Sequence, residues 1–270
     1  MNYCKPYWRL GATSFVLPAP VSENVAFLAD KVDDVQLLFF ESSRKSELSH
    51  DLDTELLKSL AAEHDLSYTV HLPLDLNLAS SDAALRSESV GEICRIVDRV
   101  AGLSPLSYDL HLDYCQEGEK EAWLAAIDSS LSHLSRELGS RMARVAVENI
   151  HYPFREVRSL VLSHGMSLCL DFGHALYYGD DIAAMIDDIP RAGHIHYHGV
   201  DDKDHKALTG RQCDLTNRIG ERISSSDWNG VFTLEVYDRI ALYNSLLELT
   251  ESWGLDSKRW KRETEKWGIK

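Results

Sequence analysis

Short apolar runs alternate with longer amphipathic segments along most of the chain. Eight runs rich in β-branched and other apolar residues predict strands, at 9–15, 35–40, 67–72, 108–112, 144–148, 167–171, 194–198 and 231–236. Between most of them apolar residues recur at helical spacing. In DLDTELLKSLAAEHDL, for example, one helix face carries Leu52, Leu56, Leu57 and Leu60. Strands that alternate with helices predict parallel βαβ units.

Eight such units close most naturally into a single (β/α)8 TIM barrel. The chain has 270 residues, and a barrel of this kind needs about 250. We therefore expect one domain spanning 1–270, with the barrel core at about 8–255. An open doubly wound sheet is the alternative, and it is disfavoured because no GxGxxG or GxxxxGK[ST] segment follows any predicted strand.

The charge balance limits the partners. The chain has 43 acidic and 28 basic residues, a formal net charge of −15. A long polyanion would be repelled by most of this surface, so we expect no nucleic-acid partner. The only basic cluster, DSKRWKRETEKW near the C-terminus, is interpreted as a solvated helix. A small phosphorylated substrate held by a metal remains compatible with this charge.

Further features predict a cytoplasmic protein without a membrane segment. No stretch of about 18 apolar residues is present, and the first residues lack the pattern of a signal peptide. The cysteines are scattered without CxxC spacing, at Cys4, Cys94, Cys115, Cys169 and Cys213. Such a set indicates reduced thiols.

Residues that can bind metal ions stand at the ends of the predicted strands or just beyond them. They are Glu41, His71, His111, Glu148, Asp171, His174, His196, Asp204, His205 and Glu235. The carboxyl ends of parallel barrel strands converge on one face, so these side chains are expected to meet. Imidazole with carboxylate suits zinc, manganese or iron better than calcium. The set is large enough for two or three ions, an arrangement typical of phosphoester hydrolysis.

Several assignments stay open on spacing alone. In HIHYHG, alternation places His194, His196 and His198 on one face without deciding which of them binds metal. Glu148 and Glu235 end buried strands, where a carboxylate must be bound to metal or paired with a base. Glu41 fits a ligand, a substrate contact or an ion pair equally well.

The strand-end segments resemble a known superfamily when their order and spacing are considered together. They are TVHLPLDLNLAS, YDLHLD, VAVENI, CLDFGHA, HIHYHG, DHKALTG and TLEVY. In this order they resemble the xylose-isomerase-like TIM barrels, which include apurinic endonucleases and sugar isomerases and epimerases. The resemblance covers roughly 8–255.

The resemblance implies specific ligand sets. Single-metal epimerases use a set matched by Glu148, Asp171, His196 and Glu235, in which the two glutamates shuttle a proton. The endonuclease-like branch implies three ions. The first would be bound by His71, His111 and Glu148. The second would be bound by Glu148, Asp171, His196 and Glu235. The third would be bound by His174, His205 and an Asp near 204. These extra ligands favour hydrolysis over epimerisation.

Two departures from the endonuclease pattern stand in the loop after the seventh strand. The usual Asp-x-His reads Lys203-Asp204-His205, and the usual Leu-Gly-Glu-Gly reads LTGR at 208–211. A closer resemblance, to the cobamide-remodelling phosphodiesterases, is carried by RLGATSFVLPAPVSENVAFLADKVDDVQLLFFES and VHLPLDLNL. It implies hydrolysis of the nucleotide-loop phosphoester of a corrinoid.

The prediction is a metal-dependent phosphodiesterase acting on a small molecule, possibly a corrinoid, with two or three divalent ions. Zinc is expected, with manganese, iron or cobalt as alternatives. Glu148 and Glu235 are assigned to catalysis, with hydroxide activated by metal attacking phosphorus. Substrate binding is assigned to Glu41, His198, Lys203 and Arg211. A single-metal sugar isomerase or epimerase and a non-enzymatic corrinoid- or metal-binding module are the alternatives.

Overall fold

Eight parallel strands form a closed barrel in chain order. The structure is a computed structural model that describes residues 8–42, 52–112, 114, 120–152, 154–256 and 267. The strands are β1 (Arg9–Thr13), β2 (Asp34–Leu38), β3 (Ser67–His71), β4 (Tyr108–Leu110), β5 (Val145–Glu148), β6 (Ser167–Asp171), β7 (Ala192–Tyr197) and β8 (Val231–Leu234). Strand β1 closes the barrel against β8, with Arg9 opposite Val231. The predicted (β/α)8 barrel is confirmed.

Helices connect consecutive strands and surround the barrel. Those described are α1 (Val21–Leu28), α2 (Thr54–His64), α3 (Ala83–Val100), α4 (Lys120–Leu138), α5 (Arg155–Ser163), α6 (Phe172–Tyr178), α7 (Ile182–Asp188), α8 (Cys213–Ser224) and α9 (Arg239–Trp253). Two short helices, α6 and α7, follow β6. Within the described residues, every helix is too short or too polar to span a lipid bilayer.

Strand β7 illustrates how alternation divides the chain between two environments. His194 and His196 point into the barrel, where both are fully buried. Ile195 and Tyr197 alternate with them and belong to the apolar layer between barrel and helices. Tyr197 packs against Phe172 of α6, with ring centroids 6.4 Å apart. The apolar layer therefore holds the strand in the register that places the two histidines inside.

The barrel interior contains a polar layer rather than apolar side chains alone. Asp34 accepts a hydrogen bond from Thr69 (2.7 Å). Asp109 contacts Nδ1 of His194 at 2.7 Å, and Nε2 of the same ring lies 2.7 Å from Thr233. All five side chains are fully buried. Because each of these side chains has a hydrogen-bond partner, the layer avoids the free-energy cost of unsatisfied polar groups. It lies in the barrel interior, beneath the carboxyl ends of the strands.

Several strands end earlier than the apolar pattern predicted. His111, His198 and Glu235 come just after β4, β7 and β8, at the start of the following loops. They therefore lie at the carboxyl face of the barrel. Among the described cysteines, Cys94, Cys169 and Cys213 are free thiols. Cys4, Cys115 and the basic residues of the C-terminal run lie outside the described residues.

Candidate metal centre

Glu148, the last residue of β5, lies at the centre of the predicted site. Its Oε2 is 3.5 Å from His71 Nε2, 3.3 Å from His111 Nε2 and 3.3 Å from His196 Nδ1. Its Oε1 is 3.1 Å from His174 Nδ1. The carboxylate is fully buried and faces imidazoles from four different strand ends. One carboxylate placed in this way is suited to bridge two cations.

The side chains form three neighbouring groups, within each of which the potential ligand atoms lie within 4.8 Å of one another. The first group is His71, His111 and Glu148. The second group is Glu148, Asp171, His196 and Glu235. The third group is His174, His198 and His205. Glu148 belongs to two groups, so the first and second share a carboxylate.

Helix α6 explains how Asp171 and His174 reach the same site. Asp171 is the N-cap of this helix, and its Oδ1 accepts a hydrogen bond from the backbone N–H of His174 at 2.7 Å. The cap places the imidazole beside the carboxylate, with Nδ1 at 3.4 Å from Asp171 Oδ2. The Asp-Phe-Gly-His segment thus brings two potential ligands together through its local backbone conformation. Asn149 fixes its start, because its side-chain amide bonds both the N–H and the C=O of Asp171 (2.7 and 2.8 Å).

The donor atoms have few partners apart from one another. Among the described residues, the buried polar atoms without a hydrogen bond include His111 Nε2, both Glu148 oxygens, Asp171 Oδ2, His196 Nδ1, His198 Nε2 and Glu235 Oε2. All of them point into the three groups. Buried polar atoms normally have partners, and leaving one without a partner costs free energy. Imidazole nitrogens and carboxylate oxygens are also the usual ligands of zinc. The donor set therefore fits divalent metal ions.

The electrostatics of the side chains fit the same conclusion. Burial by itself raises the pKa of Glu148, but His196 and His111 outweigh burial and lower it well below its ordinary value. Burial lowers the pKa of His174, but Asp171 and Glu148 raise it to about 10. In the metal-free chain, protonated imidazoles therefore balance the buried carboxylates. Bound cations would fill the same role and release those protons.

Two further residues, Asp109 and Gln36, contact a potential ligand from the barrel interior. Neither residue was identified from the sequence as part of the site. Asp109 and Gln36 stand beneath His196, with Gln36 Nε2 at 2.8 Å from the ring Nε2 and 2.9 Å from Asp109 Oδ2. Asp109, Cys169, His194 and His196 also lie close enough to hold a cation. Asp109 and His194 already bond one another at 2.7 Å, so we interpret them as support for His196. The only signal in the sequence was a polar residue inside a strand otherwise apolar, as in YDL.

The other predicted residues lie around the mouth of the barrel. Asp204 is half-buried in the loop after β7 and is outside the three groups, while Lys203 and Arg211 are exposed. Glu41 is exposed after β2 and lines a shallow, open pocket with Phe15 and other apolar residues.

Aromatic residues also surround the mouth. Tyr177 and Tyr178 are exposed at the end of α6, as Phe15 is after β1. Tyr114 instead packs on Trp123, with ring centroids 5.1 Å apart. The mouth thus combines apolar rings with the charged centre beneath them.

Residues 28–260 match the family described as the xylose isomerase-like TIM barrel. The chain belongs to this family. The matched segment contains every member of the three groups, from His71 to Glu235. Members of the family are enzymes, among them epimerases and endonucleases. A comparison with curated protein sequences finds no match.

Solved structures of other proteins resemble this chain in fold. One is the IOLI protein with a binding zinc atom, with 13% identity, 94% of this chain and 99% of that chain covered, and a TM-score of 0.72. D-psicose 3-epimerase with D-tagatose from Clostridium cellulolyticum has 17% identity, 96% of both chains covered, and a TM-score of 0.69. Endonuclease IV from Thermus thermophilus has 20% identity, 90% and 99% covered, and a TM-score of 0.65. At these identities the likeness concerns the fold.

Proposed function

We propose that this chain is a metal-dependent hydrolase that cleaves a phosphodiester in a small molecule. The observation that carries the proposal is the sharing of Glu148 between the first and second groups. A carboxylate shared by two groups of potential ligands, with imidazoles around it, would serve as a ligand of two cations. Paired cations are suited to displacement at phosphorus, where charge accumulates on several oxygens at once.

The residues that would hold the ions are those of the three groups. When bound, the ions supply Lewis acidity at the phosphoryl group and lower the pKa of water. Glu148 and Glu235 would hold the positive charge at the barrel face, where both carboxylates are buried. His71 Nδ1 lies 2.8 Å from the carbonyl oxygen of Leu72, which orients Nε2 toward Glu148. A ligating histidine is commonly held in this way by its second nitrogen.

The first and third groups favour hydrolysis over epimerisation. The second group alone provides the two glutamates, the aspartate and the histidine that a single-metal epimerase needs. His71 and His111 would then have no role in the reaction, although both nitrogens lie within 3.5 Å of Glu148. The epimerase remains the second candidate because several xylose isomerase-like structures that resemble this chain are sugar epimerases.

The surface favours a small substrate. A net charge of −15 opposes binding of a long polyanion. We further propose that the substrate is a cobamide and that the scissile bond is its nucleotide-loop phosphoester. The support is the resemblance of the segment 9–42 to the cobamide-remodelling phosphodiesterases, together with the exposed rings at the mouth. In this proposal Glu41, Lys203 and Arg211 contact the substrate.

The test compares two reactions in one set of variants. Purified zinc-loaded chain is incubated with coenzyme B12, and release of the lower-ligand nucleoside is measured by liquid chromatography with mass spectrometry. Ketohexose epimerisation is measured in parallel after manganese or cobalt loading. The proposal expects nucleoside release that is lost in His71→Ala and His111→Ala. Epimerase activity that survives both substitutions, without nucleoside release, would support the second candidate instead.

A further inference from the structure

The side chain of His198 points into the candidate metal centre rather than toward the mouth of the barrel. It follows the last residue of β7, it is fully buried, and its Nε2 has no hydrogen-bond partner among the described residues. The same nitrogen lies 3.4 Å from Asp171 Oδ1. Gly173 makes room for the ring, because a Cβ at that position would overlap the imidazole of His198. The ring is therefore buried in a space that Gly173 leaves open, with Nε2 available to a cation.

His205 meets His198 through an unusual backbone conformation. Its φ is 54°, in the left-handed region that residues other than glycine rarely adopt. This conformation stacks its ring on His198, with centroids 4.3 Å apart and planes at 19°. The same ring lies 5.3 Å from that of His174. Backbone strain of this kind persists where the surrounding structure enforces it, often at functional sites.

Asp204 contacts His205 from the outer side. Its Oδ1 lies 3.2 Å from His205 Nδ1, while His205 Nε2 faces inward, 3.8 Å from Glu235 Oε2. A carboxylate on one ring nitrogen, with the second nitrogen facing a metal position, is the common arrangement around ligating histidines. Asp204 is therefore placed to orient His205 and not to bind the cation itself.

We propose that the third group is a metal site formed by three histidines, in which His198 replaces the acidic ligand and Asp204 orients His205. The proposal rests on the proposed function and specifies its third cation. Three neutral imidazoles leave the full charge of the ion available to an anion, so this position would receive an anionic oxygen of the substrate. Imidazole ligands also favour zinc or cobalt over magnesium or manganese.

The hydrogen bonds of His198 Nδ1 allow it to serve as a ligand. This nitrogen lies 3.1 Å from the carbonyl oxygen of Gly199 and 2.9 Å from the backbone nitrogen of His205. A ring that held a cation through Nε2 would carry its proton on Nδ1 and donate it to the carbonyl oxygen of Gly199.

The test measures zinc per chain in the full-length protein after metal removal, zinc reloading and gel filtration. We compare wild type with His198→Asn, His205→Asn and Asp204→Asn. Three equivalents are expected for wild type and two for each histidine variant. Asp204→Asn is expected to keep three at saturating zinc but to bind the third about 10- to 100-fold more weakly. His133→Asn, on α4 beside Glu137, is the matched control and should keep three.

The opposite pattern would overturn the proposal: three equivalents in His198→Asn and two in Asp204→Asn would make Asp204 the ligand. If His198→Asn does not fold, Asp204→Asn still decides between the two ligand sets, because His205 belongs to both of them and Asp204 to only one. The visible d–d absorption bands of the cobalt-loaded wild type and variants are also compared. A change in these bands checks that the lost ion had imidazole ligands. If wild type binds only two zinc equivalents, the proposed third site is contradicted, whereas the proposed dinuclear hydrolase is not. One equivalent contradicts both proposals.

Discussion

Glu148→Gln is the substitution that most directly perturbs the proposed centre. It keeps the shape of the side chain and removes the charge that faces His71, His111, His196 and His174. Glu148 Oε2 and His196 Nδ1 lie 3.3 Å apart, and two unit charges at that separation attract by about 5 kcal/mol at an effective dielectric constant of about 20. Breaking a buried charge pair costs about 3–5 kcal/mol in practice. The same loss applied to a cation weakens its binding by about 10²- to 10⁴-fold.

Because Glu148 belongs to two groups, both ions should be weakened together. We expect Glu148→Gln to lose two zinc equivalents in a competition titration with a chromophoric chelator, and nucleoside release to fall by at least about 10³-fold. Glu137→Gln, an exposed glutamate on α4 that faces His133, is the matched control. A Glu148→Gln chain that keeps both equivalents with activity within about tenfold of wild type would refute the bridging role.

Other predictions follow from the same geometry. Zinc binding at pH 7 should release protons from His174, whose pKa is raised to about 10 in the metal-free chain. A pH indicator in weak buffer measures the released protons. If no protons are released, His174 does not exchange a proton for a cation. Metal-free chain should lose stability in thermal melts as pH rises from about 6.5 toward 10, because the raised pKa contributes stability only while the ring is protonated. Gly173→Ala should displace the ring of His198 and lower the zinc content by one equivalent, while Gly91→Ala, which meets no neighbour, should not.

The sequence predicted the barrel because its pattern is repeated. Each strand places apolar residues toward the helices, and this requirement is visible in eight runs of residues. Most potential ligands were also predictable, since they stand where a strand ends and parallel strands converge. The Asp-Phe-Gly-His segment adds a local reason, because the N-cap of α6 brings His174 back to Asp171.

The loop after β7 could not be predicted in the same way. The family resemblance implied an acidic ligand near Asp204, and His198 was assigned to substrate binding. In the structure the loop is closed by a bridge between Gly199 and Lys206, and His205 adopts a left-handed conformation. These features depend on packing against α6 and β8 and leave no periodic signal. Gln36 and Asp109 were missed for a related reason, because isolated polar residues in a strand do not reveal which neighbour they support.

The number of metal ions per chain tests the central claim most directly. The protein is expressed without added metal and purified, and its metals are quantified by plasma mass spectrometry. The account predicts two or three equivalents per chain, chiefly zinc, which matches groups joined through Glu148. A single equivalent, chiefly manganese or cobalt, would contradict the polynuclear centre and favour the sugar epimerase.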